Sequence, residues 1–450
     1  MLPVIALVGR PNVGKSTLFN RLTRTRDAIV DDQPGVTRDR LYGRGRIGGK
    51  PCLVVDTGGL EPSKEHLSRQ IWEQVEQVLQ EAQAVLFLVD GQEGLAPPDR
   101  EIAEQLRQSG HSVYLVANKT EGVDSEVALA EFQELGFGHL FAVSAKRGDG
   151  AEELMEAVLA SFDSETPESK ESERPRVALI GRPNAGKSTL INALLGERRV
   201  IVSELPGTTR DSVRIPIEVN GEEYLLIDTA GVRRRARVSR GIEKFSVVKT
   251  LQAVEEANVV VLVLDAQAEI GAQDATIAGM VNDLGRALVI AVNKWDRLAK
   301  AQRQRIRGEL ELKFPFLGHA EVLFISALYG TGVGDVLPAA KRAYRSAMAE
   351  FATSDLNRKL QDAVSANPPP MRHGRRIKLK FAHQAGKNPP VIVIHGSQVS
   401  ALPESYRRYL ANYFIRAYRL VGTPVRIILR SGKNPYQARS GGREKRRRRG

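Results

Sequence analysis

The pattern GxxxxGK[ST] occurs twice in this 450-residue chain, as Gly9-Arg10-Pro11-Asn12-Val13-Gly14-Lys15-Ser16 and as Gly181-Arg182-Pro183-Asn184-Ala185-Gly186-Lys187-Ser188. The copies lie 172 residues apart, and 11 of the 14 positions in Leu7–Asn20 recur in Leu179–Asn192. Each follows an apolar run (Val4–Val8, Val177–Ile180) and precedes a helix-like segment. A strand, a glycine-rich turn and a helix in that order leave few folds open. Glycine lets the turn curl so that successive N–H groups point inward, and the helix adds the positive end of its dipole. The product is a cradle for phosphate oxygens. In such a cradle Lys15 and Lys187 reach the outer phosphates, Ser16 and Ser188 offer a hydroxyl to Mg²⁺, and Thr17 and Thr189 complete the phosphate-binding candidates. A ligand-free glycine-rich turn is the bland alternative; two copies in register with the required flanks argue for duplicated nucleotide domains.

Further patterns repeat behind each loop in the same order. Asp56-Thr57-Gly58-Gly59 and Asp228-Thr229-Ala230-Gly231 fit DxxG at the end of an apolar run, again 172 residues apart. The aspartates suit Mg²⁺ held through water, and the N–H groups of Gly59 and Gly231 suit a γ-phosphate sensor. Pro34-Gly35-Val36-Thr37-Arg38-Asp39 and Pro206-Gly207-Thr208-Thr209-Arg210-Asp211 share that offset. Thr37 and Thr209 are therefore candidates for a second Mg²⁺ hydroxyl, offered when a triphosphate closes the loop. Phosphoryl transfer needs positioning and charge neutralisation more than covalent chemistry, so Lys15, Thr37, Lys187 and Thr209 are the catalytic candidates.

Asn293-Lys294-Trp295-Asp296 fits NKxD after an apolar strand. A carboxylate there accepts from guanine N1–H and the 2-amino group, which adenine does not offer. Ser326-Ala327 would bring a backbone N–H to the guanine oxygen. The first-half counterparts are Asn118-Lys119-Thr120-Glu121 and Ser144-Ala145-Lys146. Glu121 departs from NKxD by one methylene, so weaker guanine binding is expected there.

Strand-like runs Cys52–Asp56, Ala84–Asp90 and Val113–Asn118 alternate with helix-like Glu65–Glu81, Arg100–Gln108 and Gly150–Phe162; Tyr224–Asp228, Val259–Asp265 and Ala287–Asn293 repeat the arrangement. Nearly continuous apolar strands between amphipathic helices predict an α/β fold, a mostly parallel sheet with helices on both faces, in each of two P-loop domains. The polar, Pro-bounded segment Ser164–Pro175 reads as a linker. After Asn367-Pro368-Pro369-Pro370 come strand-like Arg376–Phe381, apolar Val391–His395, a helix candidate Pro403–Arg419 and strand-like Val425–Arg430, a small α+β domain. The expected divisions are 1–163, a linker 164–175, 176–350, 351–439 and a disordered tail 440–450.

Charge is unevenly spread: the balance is −9 over residues 1–165 and +18 over residues 351–450. A basic end of that size suits a phosphate-rich partner better than a membrane, because no amphipathic helix with exposed aromatics accompanies it. One cysteine, Cys52, cannot form an internal disulfide and fits a reducing, cytoplasmic setting. Leu2–Val8 has no basic leader and reads as a first strand; no apolar stretch is long enough to span a bilayer.

The ordered motifs resemble those of translation-factor-related GTPases. Two such domains followed by a basic α+β domain resemble one bacterial ribosome-assembly family, Der (EngA), over nearly the whole chain. Ser405-Tyr406-Arg407-Arg408-Tyr409-Leu410-Ala411-Asn412 and Val421-Gly422-Thr423-Pro424-Val425-Arg426 are similar to that family's KH-like domain. The resemblance implies a monomeric GTP hydrolase that binds GTP/GDP with Mg²⁺ and acts in maturation of the 50S subunit or its precursor, in contact with rRNA.

Other features shape that expectation. After DxxG stand Leu60 and Val232, neither able to orient water, so slow turnover without further help is expected. Relatives with an asparagine in the P-loop use K⁺; Asn12 and Asn184 hold that position, as K⁺ ligands or as plain turn residues. Val232-Arg233-Arg234-Arg235-Ala236-Arg237-Val238-Ser239-Arg240 makes one switch loop basic, against Leu60-Glu61-Pro62-Ser63-Lys64-Glu65 in the other. It is either a nucleotide-gated cationic face or a solvated loop. No GxxG occurs in residues 351–450, so the standard KH grip on RNA is not expected. The C-terminal domain then either meets rRNA phosphates or docks on the nucleotide domains while the tail supplies charge. Two alternatives remain: an RNA-docking scaffold with one non-hydrolysing nucleotide domain, and a tRNA-modification-type GTPase, disfavoured because no modification-domain sequence flanks the P-loop.

Overall fold

A computed structural model describes residues 2–23, 29–31, 40–57, 76, 78–122, 124–162, 174–196, 200–202, 214–227, 247–314, 318–372 and 375–431. The chain divides into two compact units, Met1–Ser172 with Phe245–Gln252, and Glu173–Lys244 with Ala253–Gly450. The Arg233–Arg235 run, the residues after DxxG, the tail and nearly all of the expected linker lie outside the described residues.

In the first unit, β1 (Val4–Val8), β4 (Cys52–Asp56) and β5 (Ala84–Asp90) are buried at every position. Both faces are covered, which is why these strands read as unbroken apolar runs rather than alternating ones. The helices Lys15–Thr23 and Ala151–Ala160 bury Leu18, Phe19, Leu154 and Val158 against Ile5, Leu7, Leu86 and Leu88. Val4, Ala6, Val85 and Phe87 alternate with these, face the other way, and are equally buried.

With β2 (Ile29–Asp31), β3 (Arg40–Gly45), β6 (Ser112–Asn118) and β7 (Leu140–Val143), the strand order is β2-β3-β4-β1-β5-β6-β7. β1 is parallel to both β4 and β5, while β2 and β3 form an antiparallel edge. The chain thus crosses over to opposite sides of β1. The carboxyl end of that strand is the crevice where open α/β sheets take ligands, and the P-loop begins there.

The second unit repeats the plan with β8 (Arg176–Ile180), β9 (Val200–Val202), β10 (Ile215–Val219), β11 (Glu222–Ile227), β12 (Val259–Asp265), β13 (Ala287–Asn293) and β14 (Glu321–Phe324), in the order β14-β13-β12-β8-β11-β10-β9. The same unit holds the C-terminal domain. After the short pair β15 (Met371–Arg372) and β16 (Arg375–Arg376), β17 (Lys378–Gly386), β18 (Val391–Ser397) and β19 (Arg426–Ser431) make a three-stranded sheet. The helices Thr353–Ala366 and Glu404–Ala417 cover one face through Leu356, Leu360, Leu410 and Phe414.

This domain is bonded to the nucleotide domain before it. Leu288 N–H donates to Gly422 O at 2.6 Å, and Gly422 N–H donates to His319 O at 2.6 Å. Gly422 has φ +70°, and a Cβ on it would stand 2.7 Å from Ala343 Cβ and 2.9 Å from Leu288 O. Only glycine allows that approach. The folded C-terminal domain therefore packs on its neighbour through Gly422.

Candidate functional site

The two phosphate loops leave β1 and β8 in the same shape. The helices after them start at Lys15 and Lys187, whose side chains turn back over the loop. Lys15 Nζ donates to Gly9 O at 2.7 Å and Arg10 O at 2.8 Å; Lys187 Nζ donates to Gly181 O at 3.0 Å and Arg182 O at 2.9 Å. Each ammonium is thus placed before any phosphate arrives. Burial pushes Lys15 down to about 8, although Asp56 opposes the shift.

Ser16 Oγ donates to Asp56 Oδ2 at 2.7 Å, and Asp56 is wholly buried at the end of β4. Thr57 Oγ1 donates to Leu7 O at 2.8 Å and pins the DxxG entry to β1. The hydroxyl and carboxylate assigned to Mg²⁺ therefore meet. Thr17 lies exposed beside Ser16; Ser188 and Thr189 are half-buried in the matching turn. Thr37, Gly59, Thr209, Asp228 and Gly231 lie outside the described residues. Asn12 (φ +67°) and Asn184 (φ +63°) hold left-handed backbone with exposed side chains. Asparagine tolerates that conformation, so the turn alone accounts for the residue type.

The NKx[DE] motifs close the other side. Asn118 Nδ2 donates to Val13 O at 2.7 Å, while its Oδ1 accepts from Ala145 N–H at 2.9 Å. Asn293 does the same with Ala185 O and Ala327 N–H, both at 2.9 Å. Both asparagines are buried and act as braces between P-loop and Ser-Ala loop. The bond also engages the Ala145 and Ala327 N–H groups, one amide of each Ser-Ala pair expected near the guanine oxygen. Gly14 and Gly186, both at φ +96°, pass so close that a Cβ would strike the asparagine Nδ2.

Three features had gone unnoticed in the sequence. Lys119 and Lys294 pair with Asp90 and Asp265, which end β5 and β12. Burial works against the Asp90 carboxylate, but Lys119 and the Gln92 and Glu93 N–H groups outweigh it and hold its pKa low. Both aspartates and both lysines are offset by 175 residues, the signal that would have exposed the pair. Second, Arg10 Nη1 meets Glu93 at 2.7 Å and its Nε meets buried Asp99 at 3.3 Å, while Arg182 meets buried Asp274 at 2.8 Å. These pairs anchor each P-loop to the segment after β5 or β12, through Glu93 and Asp99 in one copy and Asp274 in the other.

The third is an asymmetry. Ser144 Oγ donates to Glu121 Oε1 at 2.8 Å, and this bond holds the Glu121 carboxylate below its usual range. Among the described residues, the equivalent Ser326 Oγ is buried with no partner, and Asp296 instead faces Arg297 at 3.8 Å. The longer carboxylate reaches the serine; the shorter one does not.

Residues 4–119 and 176–294 match the family described as 50S ribosome-binding GTPase, and residues 351–430 match the KH-domain-like C-terminal family of EngA bacterial GTPases. A GTPase Der of Thioalkalivibrio sulfidiphilus is 58% identical over 439 residues, 97% of this chain and 95% of that protein. The chain belongs to the Der family of GTPases. Another Der protein, from Nitrosospira multiformis, is 53% identical and covers 98% of this chain and 95% of its own length. Among solved structures, the G domain of the T. maritima FeoB iron transporter is similar at 24% identity and TM-score 0.29, covering 36% of this chain and 98% of that one. The family resemblance drawn from the ordered motifs stands, as do the two P-loop α/β domains and the KH-like domain. Among the described residues of this Der-family chain, no helix is long and apolar enough to cross a membrane.

Proposed function

We propose that both sites bind GTP with Mg²⁺ and hydrolyse it, and that the chain is a nucleotide-dependent switch in maturation of the 50S subunit. The observation that carries this is the pre-set P-loop lysine in each copy, beside an NKx[DE] loop whose asparagine is bonded to the same P-loop. In this reading Lys15 and Lys187 neutralise the outer phosphates, aided by Gly9, Gly14, Thr17, Gly181, Gly186 and Thr189. Ser16 and Thr37 with Asp56 through water, and Ser188 and Thr209 with Asp228 through water, would hold Mg²⁺, which would supply charge neutralisation on the phosphates. Thr37, Gly59, Thr209 and Gly231 respond to the γ-phosphate. Glu121 and Asp296 read guanine, while Lys119, Lys294, Ser144, Ser326, Ala145 and Ala327 line its pocket.

Asn12 and Asn184 would hold K⁺, which would supply charge neutralisation in place of an arginine; equal rates in KCl and NaCl would remove this role. The chain works as a cytoplasmic monomer of five segments, 1–163, 164–175, 176–350, 351–439 and 440–450, with the basic C-terminal end meeting rRNA. Sedimentation with 50S subunits under GTP, GDP and no nucleotide tests the switch. Retention should differ between nucleotides; equal retention in all three would contradict it.

A further inference from the structure

The sheet of the C-terminal domain has two chemically different faces. Leu379, Ala382, Ile392, Ile394, Ile427 and Leu429 turn toward the two helices. The alternating positions turn away, and they place Phe381 and His383 of β17, Val393 and His395 of β18, and Ile428 and Arg430 of β19 on the other side, where Val393 is buried and Phe381, Ile428 and Arg430 are exposed. The register sets Phe381 beside His395 and His395 beside Arg430. The Phe381 and His395 rings stack at 4.3 Å with 6° between planes, and His383 lies 5.3 Å from His395. Phe381 is 46% exposed and Ile428 44%, although both are large apolar side chains. His395 Nε2 is buried with no hydrogen-bond partner among the described residues.

The surroundings are cationic. Lys378, Lys380 and Arg430 are exposed on the same strands, β17, β18 and β19 contain no Asp or Glu, and Arg426 is already bonded to Asp283 O of the preceding domain. The register shift between Leu379 and Phe381 makes Lys380 an extra residue on its strand, re-aimed by the bulge. The whole region from 351 to 450 carries +18.

The geometry points to single-stranded RNA on this face, with Phe381, His395 and His383 as a stacking platform and Arg430 and Lys380 as phosphate contacts. Unpaired bases present π-faces that stack on exposed rings, and their phosphates need cations without competing carboxylates. A duplex hides its base faces, so single strands are preferred. The face does the gripping that the missing GxxG loop cannot. The inference rests on the proposed rRNA partnership and gives it a surface.

The test uses the full chain and a fluorescein-labelled, mixed-sequence RNA of about 12 nucleotides, single-stranded or annealed, read by anisotropy across a KCl series. Phe381→Ala should weaken single-strand binding about tenfold with the salt slope unchanged, and Phe381→Trp should retain it. Arg430→Ala should weaken binding and lower the salt slope by about one. Ile428→Glu, which sets a carboxylate on the face, should weaken it independently. Unchanged melting and GTP turnover in these variants would confirm folding. Equal affinity for single and double strands, or full affinity in both Phe381→Ala and Ile428→Glu, would overturn the proposal and leave the face to a protein partner. The assay contains neither ribosome nor guanine nucleotide, so its failure and a failure of the 50S switch are separately visible.

Discussion

Replacing Ser144 and Ser326 with alanine should affect the two nucleotide sites unequally. Ser144 Oγ donates to Glu121 Oε1 at 2.8 Å and accepts Arg147 N–H at 3.1 Å. Hydrogen bonds to charged groups are worth about 1.5–3 kcal/mol, but solvent reaches Glu121, so about 1 kcal/mol is the fitting figure. That is roughly fivefold in Kd if the bond holds the carboxylate where guanine needs it. Among the described residues Ser326 Oγ is buried without a partner, and deleting an unsatisfied hydroxyl is close to neutral or slightly favourable. The assay is mant-GDP titration with one P-loop disabled: Ser144→Ala beside Lys187→Ala, and Ser326→Ala beside Lys15→Ala. The first should lose about fivefold and the second less than about twofold. A double-mutant cycle with Glu121→Asp separates the Glu121 bond from the Arg147 one, because only the former should couple. Equal losses at both sites, or no coupling with Glu121→Asp, would refute the reasoning.

Lys15 titrates near 8 because it is buried, and bound phosphates should restore its usual value near 10.5. Nucleotide binding at the first site then takes up a proton between those limits, and affinity falls by up to about tenfold per pH unit above about 8. Calorimetry in two buffers of different ionisation enthalpy near pH 9 measures the uptake; none at all would refute it. In the empty protein the same depression means that the unfolded chain binds the extra proton, so this group's contribution to stability rises with pH across that window. Asn293→Ala removes two buried bonds and should cost the second domain about 2–3 kcal/mol, seen as a lowered melting transition; an unchanged transition would show that the brace carries no weight.

The two P-loop domains were legible because phosphate chemistry demands particular residues at fixed local spacing. Apolar runs such as Ala84–Asp90 and Val259–Asp265 matched their strands residue for residue, since burial on both faces leaves no alternation to misread. The Thr353–Ala366 helix escaped notice ahead of the Pro368–Pro370 run, and the antiparallel edge of each sheet escaped too. Edge strands of three residues carry little pattern of their own. Contacts between distant segments were the least legible. The Asn118 brace spans 105 residues and the Arg10–Asp99 pair 89, and nothing in local spacing announces them. The Glu121–Ser144 bond was within reach, but the extra methylene suggested weaker base binding rather than a new partner for the carboxylate.

Single-turnover and steady-state GTP hydrolysis by the full chain carrying Lys15→Ala, Lys187→Ala or both tests most directly whether both P-loops hydrolyse GTP. Each single change should lower total turnover by a distinct share, and the double variant should abolish it. Full turnover in either single variant would contradict the account and leave that domain a structural holder of nucleotide.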